Sequence, residues 1–247
     1  MILRKSLPII SAFVALSFLS DTASFPVNVG CQRPKFQTPS FYVSGKGYEL
    51  IDCFEKRIRQ DYNDIREFID VRDTTLPEIR YGVLQEAAIG FYNSKDDLIV
   101  IDTGRVFYYK GIIGCNFSHE LTHAILNRKS QEIGNERWTR YSNFDRSVFT
   151  LDDYGMQFVS EGLATYIGNG ERNRNGIKWP SNREQLYCSD KYTLGNNLVV
   201  DLMEEFGAEA IPSIIKNPPR GNEVFHPWQW QDRTRRRIIN QRRNNHH

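Results

Sequence analysis

His119-Glu120-Leu121-Thr122-His123 sits inside Gly111 to Asn127, a stretch in which Ile113, Phe117, Leu121, Ala124 and Ile125 recur at helical spacing. On a helix, residues four apart lie about 40° apart around the axis and one turn along it, so both imidazoles project from one side with Glu120 beside them. Leu121 points about 160° away from each histidine and joins the apolar row. The spacing predicts a helix with one face for a metal ion and the other for a core.

Imidazole ligands with an open coordination position suit zinc, and catalytic zinc sites keep three protein ligands and a water. Glu120 is the candidate general base, because it neighbours a ligand without readily ligating the same ion itself. A third ligand is expected in Val159-Ser160-Glu161-Gly162-Leu163-Ala164-Thr165-Tyr166, where Glu161 stands among apolar and small residues. A carboxylate there is costly to bury unless a positive partner meets it. His226, ahead of Pro227 and Trp228, is the second candidate for that ligand. Thr165, one turn beyond Glu161, reads as helix packing.

Outward from the motif, Ile51, Phe54, Ile58, Tyr62, Ile65 and Ile69 predict a long amphipathic helix from Tyr48. Three strand-like runs follow, Ile79 to Leu84, Ala88 to Tyr92 and Leu98 to Ile101, the last two joined by a turn cluster at Asn93 to Asp97. Beyond the polar stretch Arg128 to Asp153, helices are expected over Tyr154 to Ile167, over Thr193 to Phe206 with Gly207 ending it, and from Ala208 to the Asn217-Pro218-Pro219 stop. Residues 25 to 47 read as an extended segment with a short strand around Phe41. The fold class expected is α+β, a small mixed sheet and a metal-binding helix followed by a helical C-terminal subdomain.

The chain has 247 residues, 40% hydrophobic and 25% charged, which excludes collagen, low-complexity disorder and a multi-span membrane protein. A formal charge of +2 from 32 basic and 30 acidic residues predicts no nucleic-acid partner. Arg4-Lys5, the apolar run Leu7 to Leu19 and the small residues to Ser24 have the layout of a secretory signal, so residues 1–24 are expected to be cleaved and the protein exported, whether secreted, periplasmic or extracellular. Residues 25–230 form the expected domain. In residues 231–247 six arginines against Asp232 give +5, which reads as a solvated, disordered tail; docking to an acidic partner or an anionic surface is the other reading. Cys31, Cys53, Cys115 and Cys188 are all in the mature part, and an even count in an exported chain favours disulfides, with the pairing open.

His119-Glu120-x-x-His123 followed by Glu161-Gly-Leu-Ala-x-Tyr166 resembles the gluzincin class of zinc metallopeptidases, in particular the thermolysin-like catalytic domain shared with the aminopeptidase branch. Tyr192-Thr-Leu-Gly195, opening an apolar helix, resembles that branch as well, where a tyrosine in such a segment stabilises the oxyanion. The resemblance covers about Ala88 to Pro219. It implies a zincin-like fold, one zinc held by His119, His123 and Glu161, Glu120 as general base and acid, Tyr192 as electrophile, and peptide or protein substrates. It also implies an edge strand, Leu98 to Asp102, that pairs with extended substrate.

Two departures limit the likeness. The 37 residues between His123 and Glu161 exceed the usual spacing of the class, so Arg128 to Asp153 is expected to form an insertion near the cleft. No Gly-x-Met-Glu-Asn segment precedes the helix, which argues against aminopeptidase specificity. The alternative function is a catalytically inactive zincin-fold binding or surface-docking protein, and the intact Glu120 speaks against it.

Overall fold

The computed structural model describes residues 47–82, 90–102, 112–135, 138, 150–170 and 178–245. The expectations for the signal at 1–24 and for the segment 25–46 lie outside them. Helix α1 spans Gly47–Ile69, and its periodic residues Ile58, Tyr62, Ile65 and Ile69 are all buried. Full burial of such a side chain contributes about 1.5–3 kcal/mol, which is what holds α1 against the body of the protein.

Strands β1 (Glu78–Gly82), β2 (Gly90–Asn93) and β3 (Leu98–Asp102) form a mixed sheet in the order β1-β3-β2. β2 and β3 are antiparallel, with Asn93 opposite Leu98 across the turn, and β1 runs parallel to β3 with Glu78 opposite Leu98. The expectation that Leu98 to Asp102 is an edge is therefore corrected: it is the central strand. Its continuous apolar run suits that position, since Leu98 and Ile99 are both buried. The edges are β1 and β2, neither of which carries a strand on its outer side among the described residues.

Helix α2 spans Ile112–Glu132. The expected core row Phe117, Leu121, Ala124 and Ile125 is buried, and burial extends around most of the helix: from Phe117 to Ser130 every residue is buried except Glu120 and His123. The polar residues after Asn127 are consumed locally. Arg128 continues the helix and reaches Asp73 and Asp97 at 3.1 and 2.6 Å, tying α2 to the β2–β3 turn and to the segment after α1. The supposed insertion thus begins as helix, and its residues 139–149 lie outside the described part.

Helix α3 spans Leu151–Leu163 and starts on a capping box in which Thr150 and Asp153 satisfy each other's backbone N–H. It continues as a π-helical segment, Ala164–Asn169, closed by Gly170 in the left-handed region. Helices α4 (Arg183–Tyr187), α5 (Lys191–Phe206) and α6 (Ala210–Lys216) follow. α5 lies against α3 so closely that a Cβ on Gly162 would stand 2.1 Å from the carbonyl oxygen of Gly195. A larger residue at either position would drive the helices apart.

The C-terminal residues overturn the expectation of a disordered tail. Helix α7 spans Pro227–Asn245, so a domain limit at residue 230 falls inside it. Trp230, Thr234 and Ile238, four apart, are buried on one face. Its arginines clamp it to the body: Arg233 pairs with Glu223 through two nitrogens at 2.7 and 2.6 Å, Arg235 meets Glu205 at 2.7 Å, and Arg242 meets Glu209 at 2.7 Å and lies over the Phe206 ring. Arg233, Arg235 and Arg242 are thus held in intramolecular ion pairs.

The result is an α+β protein, mostly helical, with one small mixed sheet and one continuous core shared by α1, β3, α2, α3, α5, α6 and α7. Among the described residues no helix is long and apolar enough to cross a membrane. Cys188 is exposed and carries a free thiol, against the expectation of a disulfide there. The side chains of Cys31, Cys53 and Cys115 lie outside the described part.

Candidate metal centre

Glu120 and His123, the two partly accessible residues between Phe117 and Ser130, mark the site. His119 and His123 lie one turn apart with Nε2 atoms 3.1 Å from each other. Glu161, near the end of α3, brings Oε2 to 3.1 Å from His119 Nε2 and 3.3 Å from His123 Nε2. The approach of α3 and its π-helical continuation to α2 is possible because Gly168 packs on the His119 backbone, where a Cβ would come within 2.5 Å of the His119 Cα. Residues 42 apart in sequence are thereby held in one triangle.

That triangle fits a metal ion. In a tetrahedral zinc site with bonds of about 2.0–2.2 Å, ligand atoms stand roughly 3.3–3.6 Å apart, close to the three separations seen. The donor set of two imidazoles and a carboxylate is also zinc-like. His226 is not part of this group: its ring stacks obliquely on Trp228, with centroids 5.0 Å apart.

The electrostatics separate the two glutamates. Burial alone would raise the Glu161 carboxyl, but hydrogen bonds from His119 and His123, with the charges of His123 and Lys191, hold it well below the usual carboxylate range. Desolvation pushes Glu120 up to about 7; the charge of Glu161 adds to this, while His119, Lys191 and a hydrogen bond from the Tyr92 backbone N–H oppose it. Glu161 is thus a permanent anion, and Glu120 is poised to exchange a proton. β2 passes directly beside Glu120, since a Cβ on Gly90 would lie 3.7 Å from its Cγ.

Tyr192, in the first turn of α5, stands beside the group with its ring centroid 5.6 Å from that of His119 and 46% of its surface exposed. Desolvation raises its phenol, Glu161 raises it further, and Lys191 opposes. Two residues of the site were missed in the sequence. Ser160 Oγ lies 3.1 Å from His123 Nδ1 and turns the other ring nitrogen toward the cluster. Lys191 Nζ lies 2.5 Å from Glu161 Oε1. A serine before the ligand and a lysine before Tyr192 are the only sequence signals, and neither is distinctive. Thr165 is buried, and its hydroxyl makes no hydrogen bond among the described residues, consistent with packing.

Comparison with protein-family models, with curated proteins and with solved structures finds no match for the chain.

Proposed function

We propose that this chain is an exported zinc-dependent metallopeptidase of gluzincin type on a zincin-like fold. The observation that carries the reading is the triangle of His119, His123 and Glu161 with Glu120 beside it on the accessible strip of α2. When bound there, zinc would polarise a scissile carbonyl and lower the pKa of an attacking water.

The protein's own groups supply the remainder. Glu120 accepts the proton of the attacking water at its carboxylate and returns it to the amine as the C–N bond breaks, a cycle favoured by a pKa near neutrality. Tyr192 stays a protonated phenol over the neutral range and donates a hydrogen bond to the developing oxyanion. Ser160 orients His123. The outer edge of β2, which carries no strand among the described residues and passes beside Glu120 at Tyr92, offers its remaining main-chain groups to an extended peptide, in the role first expected of Leu98 to Asp102.

The substrates are peptides or proteins, one zinc serves each chain, and no nucleic-acid partner is involved. Three of the six arginines of α7, Arg233, Arg235 and Arg242, are held in ion pairs within the protein, which favours this reading over surface docking. Replacement of Glu120 by Gln tests the mechanism. The variant is expected to keep its zinc and lose hydrolysis of a quenched-fluorescence peptide library by roughly a hundredfold or more. Undiminished hydrolysis would remove Glu120 from the chemistry.

A further inference from the structure

Lys191 departs from what a metal-binding carboxylate ordinarily meets. The two oxygens of Glu161 have separate tasks: Oε2 faces both histidines at 3.1 and 3.3 Å, while Oε1 receives the Lys191 ammonium at 2.5 Å. We propose that Lys191 is a positioning residue that confines Glu161 to metal binding through one oxygen. The inference rests on the metal centre proposed above.

Three features support the role. The ion pair is largely enclosed, with Glu161 side-chain exposure of 8% and Lys191 of 26%, so the charge-assisted hydrogen bond has little competition from water. The position of Lys191 is fixed from behind. It is the first residue of α5, capped by Asp190, and the contact of Gly162 with Gly195 sets that helix end over Glu161. Its ammonium also lies 4.9 Å from the Tyr192 ring centroid, a second contact that holds the lysine stem across the first turn.

The chemical consequence concerns the coordination positions that the protein leaves unfilled. A carboxylate that offers both oxygens to an ion fills an extra coordination position, whereas a single oxygen leaves that position to water and substrate. For Glu161 to swing Oε1 inward, it would have to abandon Lys191 in a site nearly closed to solvent. Lys191 therefore shapes the coordination sphere without touching the ion.

Cobalt(II) substitution reads this directly, because its visible absorption weakens as coordination number rises. Purified full-length protein is loaded with cobalt as wild type, Lys191→Met and Lys191→Arg. The Met variant is expected to hold one cobalt per chain with its visible band reduced by about half, and the Arg variant to recover the wild-type band. A Met variant with an unchanged band would overturn the role of Lys191 while leaving the metal centre intact. Wild-type protein that binds no metal would instead overturn the reading beneath it. A crystal structure of the zinc-loaded wild type decides independently of any variant: one Glu161 oxygen at bonding distance supports the proposal, and two overturn it.

Discussion

Gly162 and Gly195 meet backbone to backbone: a Cβ on Gly195 would stand 2.2 Å from the carbonyl oxygen of Phe158 and 2.7 Å from the Gly162 nitrogen. This contact brings the first turn of α5, with Lys191 and Tyr192, onto the ligand-bearing turn of α3. Because the obstacle is main chain, no rotamer change relieves it. Gly195→Ala is expected to destabilise the protein by about 1–3 kcal/mol, measured by urea denaturation, and to lower activity more than stability alone explains. A variant as stable and active as wild type would show that the helices need not touch there.

The C-terminal helix behaves as part of the fold. Trp230 is fully buried and its indole N–H donates to the Asn217 carbonyl oxygen. Trp230→Ala is expected to cost about 3–5 kcal/mol, and removal of residues 227–247 to leave no cooperative thermal transition. A truncated protein that melts like the intact one would restore the view of a dispensable tail.

Ser160→Ala removes the group that fixes the His123 ring. Loss of a hydrogen bond to a metal-binding histidine typically weakens metal affinity about 10–100-fold, and a zinc competition titration is expected to read that loss with the melting temperature little changed. Equal affinity would mean that packing alone orients the ring.

Burial raises the phenols of Tyr92 and Tyr62 above the ordinary range, with Asp97 adding to the effect at both. Their folded pKa values exceed the unfolded ones, so the associated stability is present below the unfolded pKa of about 10 and is lost as pH rises through the folded values. In an alkaline titration, part of the tyrosinate absorbance is expected to emerge only as helical circular dichroism is lost. Complete ionisation with the helices intact would contradict the burial of these rings.

Much of the scaffold is legible in the sequence. The period of α1, the hairpin turn at Asn93 to Asp97 and the motif on α2 appear where the spacing predicts, and His119, His123 and Glu161 come together as their residue types suggest. Other features are relational. Whether Leu98 to Asp102 is central or at an edge depends on the parallel pairing of β1, although a run as apolar as Leu-Ile-Val-Ile already favours a strand flanked on both sides. Ser160 and Lys191 enter the site through the crossing of α3 and α5, which a single-helix period does not encode. The π-helical segment falls outside the 3.6-residue rule, and in α7 the arginines mask the apolar step Trp230, Thr234, Ile238.

The central claim is that His119, His123 and Glu161 jointly hold one zinc. Atomic absorption on purified wild type and Glu161→Ala, each exposed to zinc and then dialysed, tests it most directly. About one zinc per wild-type chain is expected, with a large loss in the variant. A wild-type protein that retains no zinc, or a variant that retains as much, would contradict it.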